Sequence, residues 1–260
     1  MNFLLTFLLS LALCLLVAGN DNPPHHAAET WKYHGTAIME TWVGRGAIHA
    51  GDLGQEWLYK PIYTAIEEQC HGYQSGKAKY CDWAGYWNTF PTKGVKGGKA
   101  SVDKDGNRRI DNGEIVNTAV QLWAEGKWAN DGLRKIMINA AAKALEQLTN
   151  DRKANCYYVP GRGDMCNIGD FVRINMEPIN GEANYLWVTL RSGDAKLVRH
   201  DLQCCRSQGM VSDKLNELAE TTSKAYGKPF TKEVRCLITG VQTCKECGSK
   251  CDRCTKSPCA

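Results

Sequence analysis

Residues 170–191 read DFVRINMEPINGEANYLWVTLR, and this stretch decides the fold. From Asp170 to Glu177 the chain alternates, with Val172, Ile174 and Met176 on one face and Arg173, Asn175 and Glu177 on the other. Asn184 to Arg191 does the same, with Leu186, Val188 and Leu190 opposed by Tyr185, Trp187 and Thr189. A period of two marks β-strands, because successive side chains leave a pleated backbone on opposite sides. Asn180-Gly181 lies between the two runs, and this dipeptide tolerates the positive φ angles of a tight hairpin turn. The stretch predicts an antiparallel hairpin.

Outward from it, Thr36–Val43, Leu197–Leu202 and Glu233–Thr239 read as further strands. Between Asp131 and Leu148 the period changes to that of a helix. Leu133, Ile136, Met137, Ala140, Ala144 and Leu148 share one face, and Asn130 or Asp131 can cap the start. Shorter helices are predicted from Pro61 (Ile62, Ile66 and Cys70), over Glu114–Glu125 (Ile115, Ala119, Leu122 and Trp123, ended by Gly126), and from Ser212 to Gly227. Tyr80–Gly98 reads as a long loop. The sum is an α+β protein, an antiparallel sheet with packed helices, stabilised by disulfides and followed by a cysteine-rich C-terminal knob.

The apolar run Phe3–Val17, followed by Ala18 and Gly19, has the length and ending of a signal peptide and is too short for a comfortable membrane span. The expected organisation is a leader over 1–19, a loose polar arm over 20–30 opening a secreted α+β domain that runs from 20 to 240, and a cysteine-rich tail over 241–260. Of the 13 cysteines, Cys14 falls in the leader. The rest, Cys70, Cys81, Cys156, Cys166, Cys204, Cys205, Cys236, Cys244, Cys247, Cys251, Cys254 and Cys259, form an even set that reads as a disulfide framework. The two CxxC pairs of the tail stand too close together for a zinc ribbon. The net charge of +4 comes from scattered Lys and Arg, which argues against a nucleic-acid partner and leaves room for weak attraction to acidic surfaces. A monomer is expected.

Four groupings carry candidate chemistry. Asp103-Lys-Asp-Gly-Asn-Arg-Arg-Ile-Asp-Asn-Gly-Glu114 resembles an EF-hand calcium loop. That resemblance implies calcium held by Asp103, Asp105, Asn107, the Arg109 carbonyl, Asp111 and Glu114. Arg108 stands where the loop wants glycine, and the same residues can instead make an Asx-rich turn. Arg162-Gly163-Asp164, between Cys156 and Cys166, resembles the adhesive loop of disintegrin-type proteins. That resemblance implies binding to an integrin head. His34, His49 and His71 lie near Glu40, Asp52, Glu67 and Glu68, from which a His49–Asp52 acid/base pair or a Glu40–Asp52 carboxylate pair could be built for glycoside hydrolysis. Trp83 and Trp87, with Tyr80, Tyr86 and Phe90, could form an aromatic platform for sugar rings.

In leader, size and cysteine density the chain resembles the secreted cysteine-rich effector or toxin-like proteins of fungi. The resulting expectation is a secreted protein that acts by binding an extracellular protein or glycan, as a virulence or toxin-like factor. The alternatives are a secreted hydrolase acting on glycans or another polymer, and a calcium-ordered adhesive protein.

Overall fold

The computed structural model describes residues 33–75, 78–81, 86–192 and 202–237. The leader, the arm, Trp83, most of the Leu197–Leu202 segment, the side chain of Cys205 and the tail cysteines Cys244–Cys259 lie outside these residues.

The predicted hairpin is present as β11 (Phe171–Ile179) and β12 (Glu182–Ser192). Asn180 at φ 53° and Gly181 at φ 80° make the turn, as the hairpin chemistry requires. This hairpin sits at the centre of an eight-stranded sheet. On one side β11 pairs antiparallel with β1 (Met39–Gly44), which in turn pairs parallel with β13 (Lys232–Leu237). On the other side β12 pairs with the long β8 (Glu114–Trp128). The outer edge of β8 is shared by β5 (Asn88–Lys96) and β4 (Ala78–Tyr80), and β3 (Tyr73–Ser75) completes the sheet beyond β4.

Two sequence expectations are corrected here. Glu114–Glu125 is strand, not helix, and residues 88–96 of the expected loop are its partner strand β5. The helical spacing of Ile115, Ala119 and Leu122 is coincidental: Glu114–Ala119 is at most half-buried, and from Val120 to Trp128 every second residue is buried, an alternation interrupted in the sequence by the buried Trp123. Gly126 ends nothing. It lies within β8, where a Cβ would stand 2.8 Å from the Tyr185 carbonyl and 3.2 Å from Cys81 Sγ, so the close approach demands glycine.

Helices cover one face of this sheet. They are α1 (Glu56–Gln69), α2 (Asp131–Asn150), the single turn α3 (Arg152–Asn155), α4 (Cys204–Leu215) and, after a 3-10 turn (Asn216–Leu218), α5 (Ala219–Tyr226). Helix α2 forms as its pattern predicts, and the Asn130 side chain accepts the Leu133 N–H at 3.0 Å. Its buried face, Leu133, Ile136, Met137, Ala140, Ala144, Leu145 and Leu148, packs into one core with Val43, Val172, Ile174, Met176, Leu186, Val188 and Leu190 of the sheet. Each such aliphatic side chain contributes about 1.5–3 kcal/mol on burial. Helix α1 starts at Glu56, ahead of Pro61, and α4 starts at Cys204, ahead of Ser212.

The opposite face of the sheet carries a row set by register. Arg235, Trp42, Arg173 and Trp187 are successive cross-strand partners, and Trp187 then meets Glu125. The Arg235 guanidinium lies 4.8 Å from the Trp42 ring centre, and Arg173 lies 5.2 Å from Trp187 and 5.0 Å from Tyr185. Burial pushes the Arg173 guanidinium down to about 10, and the electron-rich ring faces beside it favour the charged form.

A buried side chain repairs a gap in β8. Gln69, at the end of α1, fills the stretch of edge between β5 and β4. Its Oε1 accepts the Ala124 N–H at 2.6 Å, and its Nε2 donates to the carbonyls of Leu122 and Tyr86. The Cys70–Cys81 disulfide fastens the same junction. Cys204–Cys236 ties α4 to β13, and Cys156–Cys166 joins neighbouring strands of a second sheet. That five-stranded sheet runs β2 (Ala47–Gly51), β10 (Gly163–Gly169), β9 (Cys156–Val159), β7 (Arg108–Asp111), β6 (Lys99–Val102). Its own small core is Val95, Ile110, Tyr157, Val159 and Met165. Among the described residues, no helix is long and apolar enough to cross a membrane.

Candidate functional site

The second sheet brings together two segments that the sequence singles out separately. Strand β7 follows the Asp-rich turn, and Arg162-Gly163-Asp164 leads from the turn after β9 into β10. The parallel pairing of β7 with β9, at Arg109 and Tyr158, sets the two segments side by side. Between them and α3 opens a cleft of about 410 Å³.

The Asp-rich segment forms the turn between β6 and β7. Asp103 Oδ1 accepts the backbone N–H groups of Asp105 and Asn107 at 2.9 and 2.8 Å, and Oδ2 accepts Asn107 Nδ2 at 3.0 Å. These bonds, led by those from Asn107 and supported by the charge of Lys153, hold the Asp103 carboxyl below its usual range. Asp111 points to other partners, accepting Arg109 Nε at 2.5 Å and Ser101 Oγ at 3.3 Å. Glu114 opens a strand, whereas an EF-hand places a helix there. Among the described residues no three His, Cys, Asp or Glu side chains gather as a metal site would require.

The Arg-Gly-Asp tripeptide descends one arm of the β9–β10 hairpin, below the tip at Pro160 and Gly161. The Cys156–Cys166 bridge closes this hairpin. Arg162 is exposed. The Asp164 side chain is only 17% exposed and forms an ion pair with Arg152.

Around the cleft stand Arg108, Arg109, Arg152 and Lys153, against the carboxylates of Asp103 and Asp164. Arg108 is fixed by a 2.9 Å bond from Nη1 to the Ala154 carbonyl. Lys153 is exposed at the cleft and makes no ion pair among the described residues. Tyr158 is 43% exposed on the cleft wall. Beneath it the buried Tyr157 hydroxyl meets His49 Nδ1 at 3.1 Å, and burial pushes that phenol well up.

The other candidate groups are dispersed. His49 is buried on Tyr157, while Asp52 accepts from Thr92 Oγ1 and the Lys93 N–H, so these two form no acid/base pair. Glu40 is likewise apart from Asp52. It is buried and accepts from the His34 N–H, the Thr36 N–H and the Thr36 hydroxyl, with His34 Nδ1 at 3.2 Å. Both Glu40 oxygens are therefore spent pinning residues 34–36. Of the aromatic residues near 80–90, Trp83 lies outside the described residues, and Tyr80 and Tyr86 are exposed. Phe90 is buried, and the Arg191 guanidinium lies 4.1 Å from the Trp87 ring centre.

Sequence reasoning named Asp103, Asn107, Arg109 and Asp164 but missed Arg108 as a cleft residue, as well as Arg152, Lys153 and Tyr158. The only sequence signal for these was their charge or aromaticity, and the strand pairing that assembles them is non-local. No protein-family model, curated protein or solved structure matches the chain.

Proposed function

We propose that this protein works outside the cytosol as a binding protein, in the manner of a secreted effector or toxin-like factor, and that its cleft receives an anionic group of the target. The leader-like N-terminus and the three disulfides support the compartment, because such bridges persist in oxidising surroundings. The observation that carries the binding role is the convergence of four cations and two carboxylates on one open cleft, where Lys153 is exposed and makes no ion pair among the described residues. Such a surface attracts anions and releases them as salt screens the field.

The test is retention of the disulfide-intact chain on carboxylated dextran, compared with uncharged dextran, across a salt series. Retention should depend on charge and fall with salt. The variant with Arg109→Glu and Lys153→Glu should bind roughly tenfold more weakly or worse. Equal retention of this variant and the parent would refute the role of the cleft.

A further inference from the structure

The register of the second sheet lines up chemistry of a narrower kind than anion binding alone. Ser101, Arg109, Tyr158 and Asp164 are cross-strand partners on four consecutive strands. In-register neighbours share a face, so a hydroxyl, a guanidinium, a phenol ring and a carboxylate form one row about 14 Å long. Arg152 extends it through its ion pair with Asp164.

From this row we infer that the ligand is a glycan carrying spaced carboxylates, a uronic-acid oligomer, which sharpens and rests on the anion-binding reading above. Three features favour it over a phosphate or a dense polyanion. The exposed Tyr158 ring beside the Arg109 guanidinium offers an apolar face to a sugar ring, which a bare anion cannot use. The guanidinium is a planar fork that matches a carboxylate. Asp103 and Asp164 sit among the cations, where they repel closely spaced negative charge such as that of a dense polyanion. The row is also longer than a single anion needs.

The experiment is calorimetric titration of the full disulfide-intact chain with four probes: an oligomer of 1,4-linked galacturonic acid, its fully methyl-esterified form, inorganic phosphate, and vesicles containing phosphatidylserine. The uronate oligomer should bind most tightly. Methyl esterification should abolish binding by removing the charge. Tyr158→Ala should weaken uronate binding roughly tenfold, and Tyr158→Phe, which keeps the ring, should restore it. Because Tyr158 is exposed, both variants should melt with the parent. Phosphate or the vesicles binding as tightly as the uronate, or Tyr158→Ala binding it unchanged, would overturn the glycan assignment and leave the anion cleft standing. If none of the charged probes binds, and the charge-reversed variant behaves like the parent on carboxylated dextran, both readings fall.

Discussion

Replacing Gln69 tests whether one side chain completes the edge of β8. Gln69→Leu roughly keeps the volume and replaces the amide with an apolar group, so no large cavity opens. It removes the acceptor for the Ala124 N–H and the donor to the Leu122 carbonyl, both on buried residues of β8. A buried backbone group left without a partner costs about 1–3 kcal/mol, so the pair should cost about 2–6 kcal/mol. That is a large part of the total stability of a typical domain, about 5–15 kcal/mol. Gln69→Glu separates the two contributions, since it keeps an acceptor for Ala124 while aiming a carboxylate at the Leu122 and Tyr86 carbonyls. The assay is urea unfolding at constant m, combined with hydrogen exchange at the Ala124 amide. The leucine variant should unfold at clearly lower urea, with Ala124 exchanging faster. A change within about 0.5 kcal/mol, with Ala124 still protected, would refute the argument.

Three further outcomes follow from the same structure. Removing Cys204–Cys236 by a paired substitution to alanine frees a loop with a sequence separation of 32 residues, and should cost about 4 kcal/mol in chemical denaturation by the loop-entropy relation. Burial raises several tyrosines, most strongly Tyr33, to about 12, and Tyr157 and Tyr226, still further. The folded state therefore keeps protons that the unfolded chain gives up. Their contribution is full below the ordinary phenol value of 10.0 and is lost as pH climbs through the folded values, about 12 for Tyr33 and higher for the others, so melting temperature should fall over that window. Melting curves in millimolar calcium and in EDTA should coincide, because both Asp103 oxygens already accept hydrogen bonds within their own turn. A calcium-dependent rise would instead favour the metal loop.

Legibility in the sequence followed how local the determinant was. The β11–β12 hairpin and α2 could be read because a two-residue turn and a single amphipathic face lie within one window. Strand β8 could not, since its identity depends on pairing with β5 and β12, its first half is at most half-buried, and Trp123 interrupts the alternation of its second half. Gln69 gave no signal at all, because its role exists only where β5 and β4 leave a gap. The cleft was half legible. The Asp103 and Asp164 segments attracted notice through motif resemblance, yet what joins them is the parallel contact of Arg109 with Tyr158. That contact spans residues far apart in the chain and also recruits Arg152 and Lys153.

The parallel pairing of β1 with β13 has a consequence for biosynthesis. Met39 pairs with Lys232, near opposite ends of the described chain. At ordinary translation rates the second strand follows the first by about 10–40 s. Throughout that interval the β1 edge presents unpaired N–H and C=O groups, a template for mispairing with other chains. Neither the final strand nor the Cys204–Cys236 bridge can close until synthesis has passed residue 236. A ribosome-stalled or prematurely terminated product would therefore carry a nearly complete core with an open, adhesive margin. Recognition of that margin by chaperones would then set the yield of correctly finished molecules.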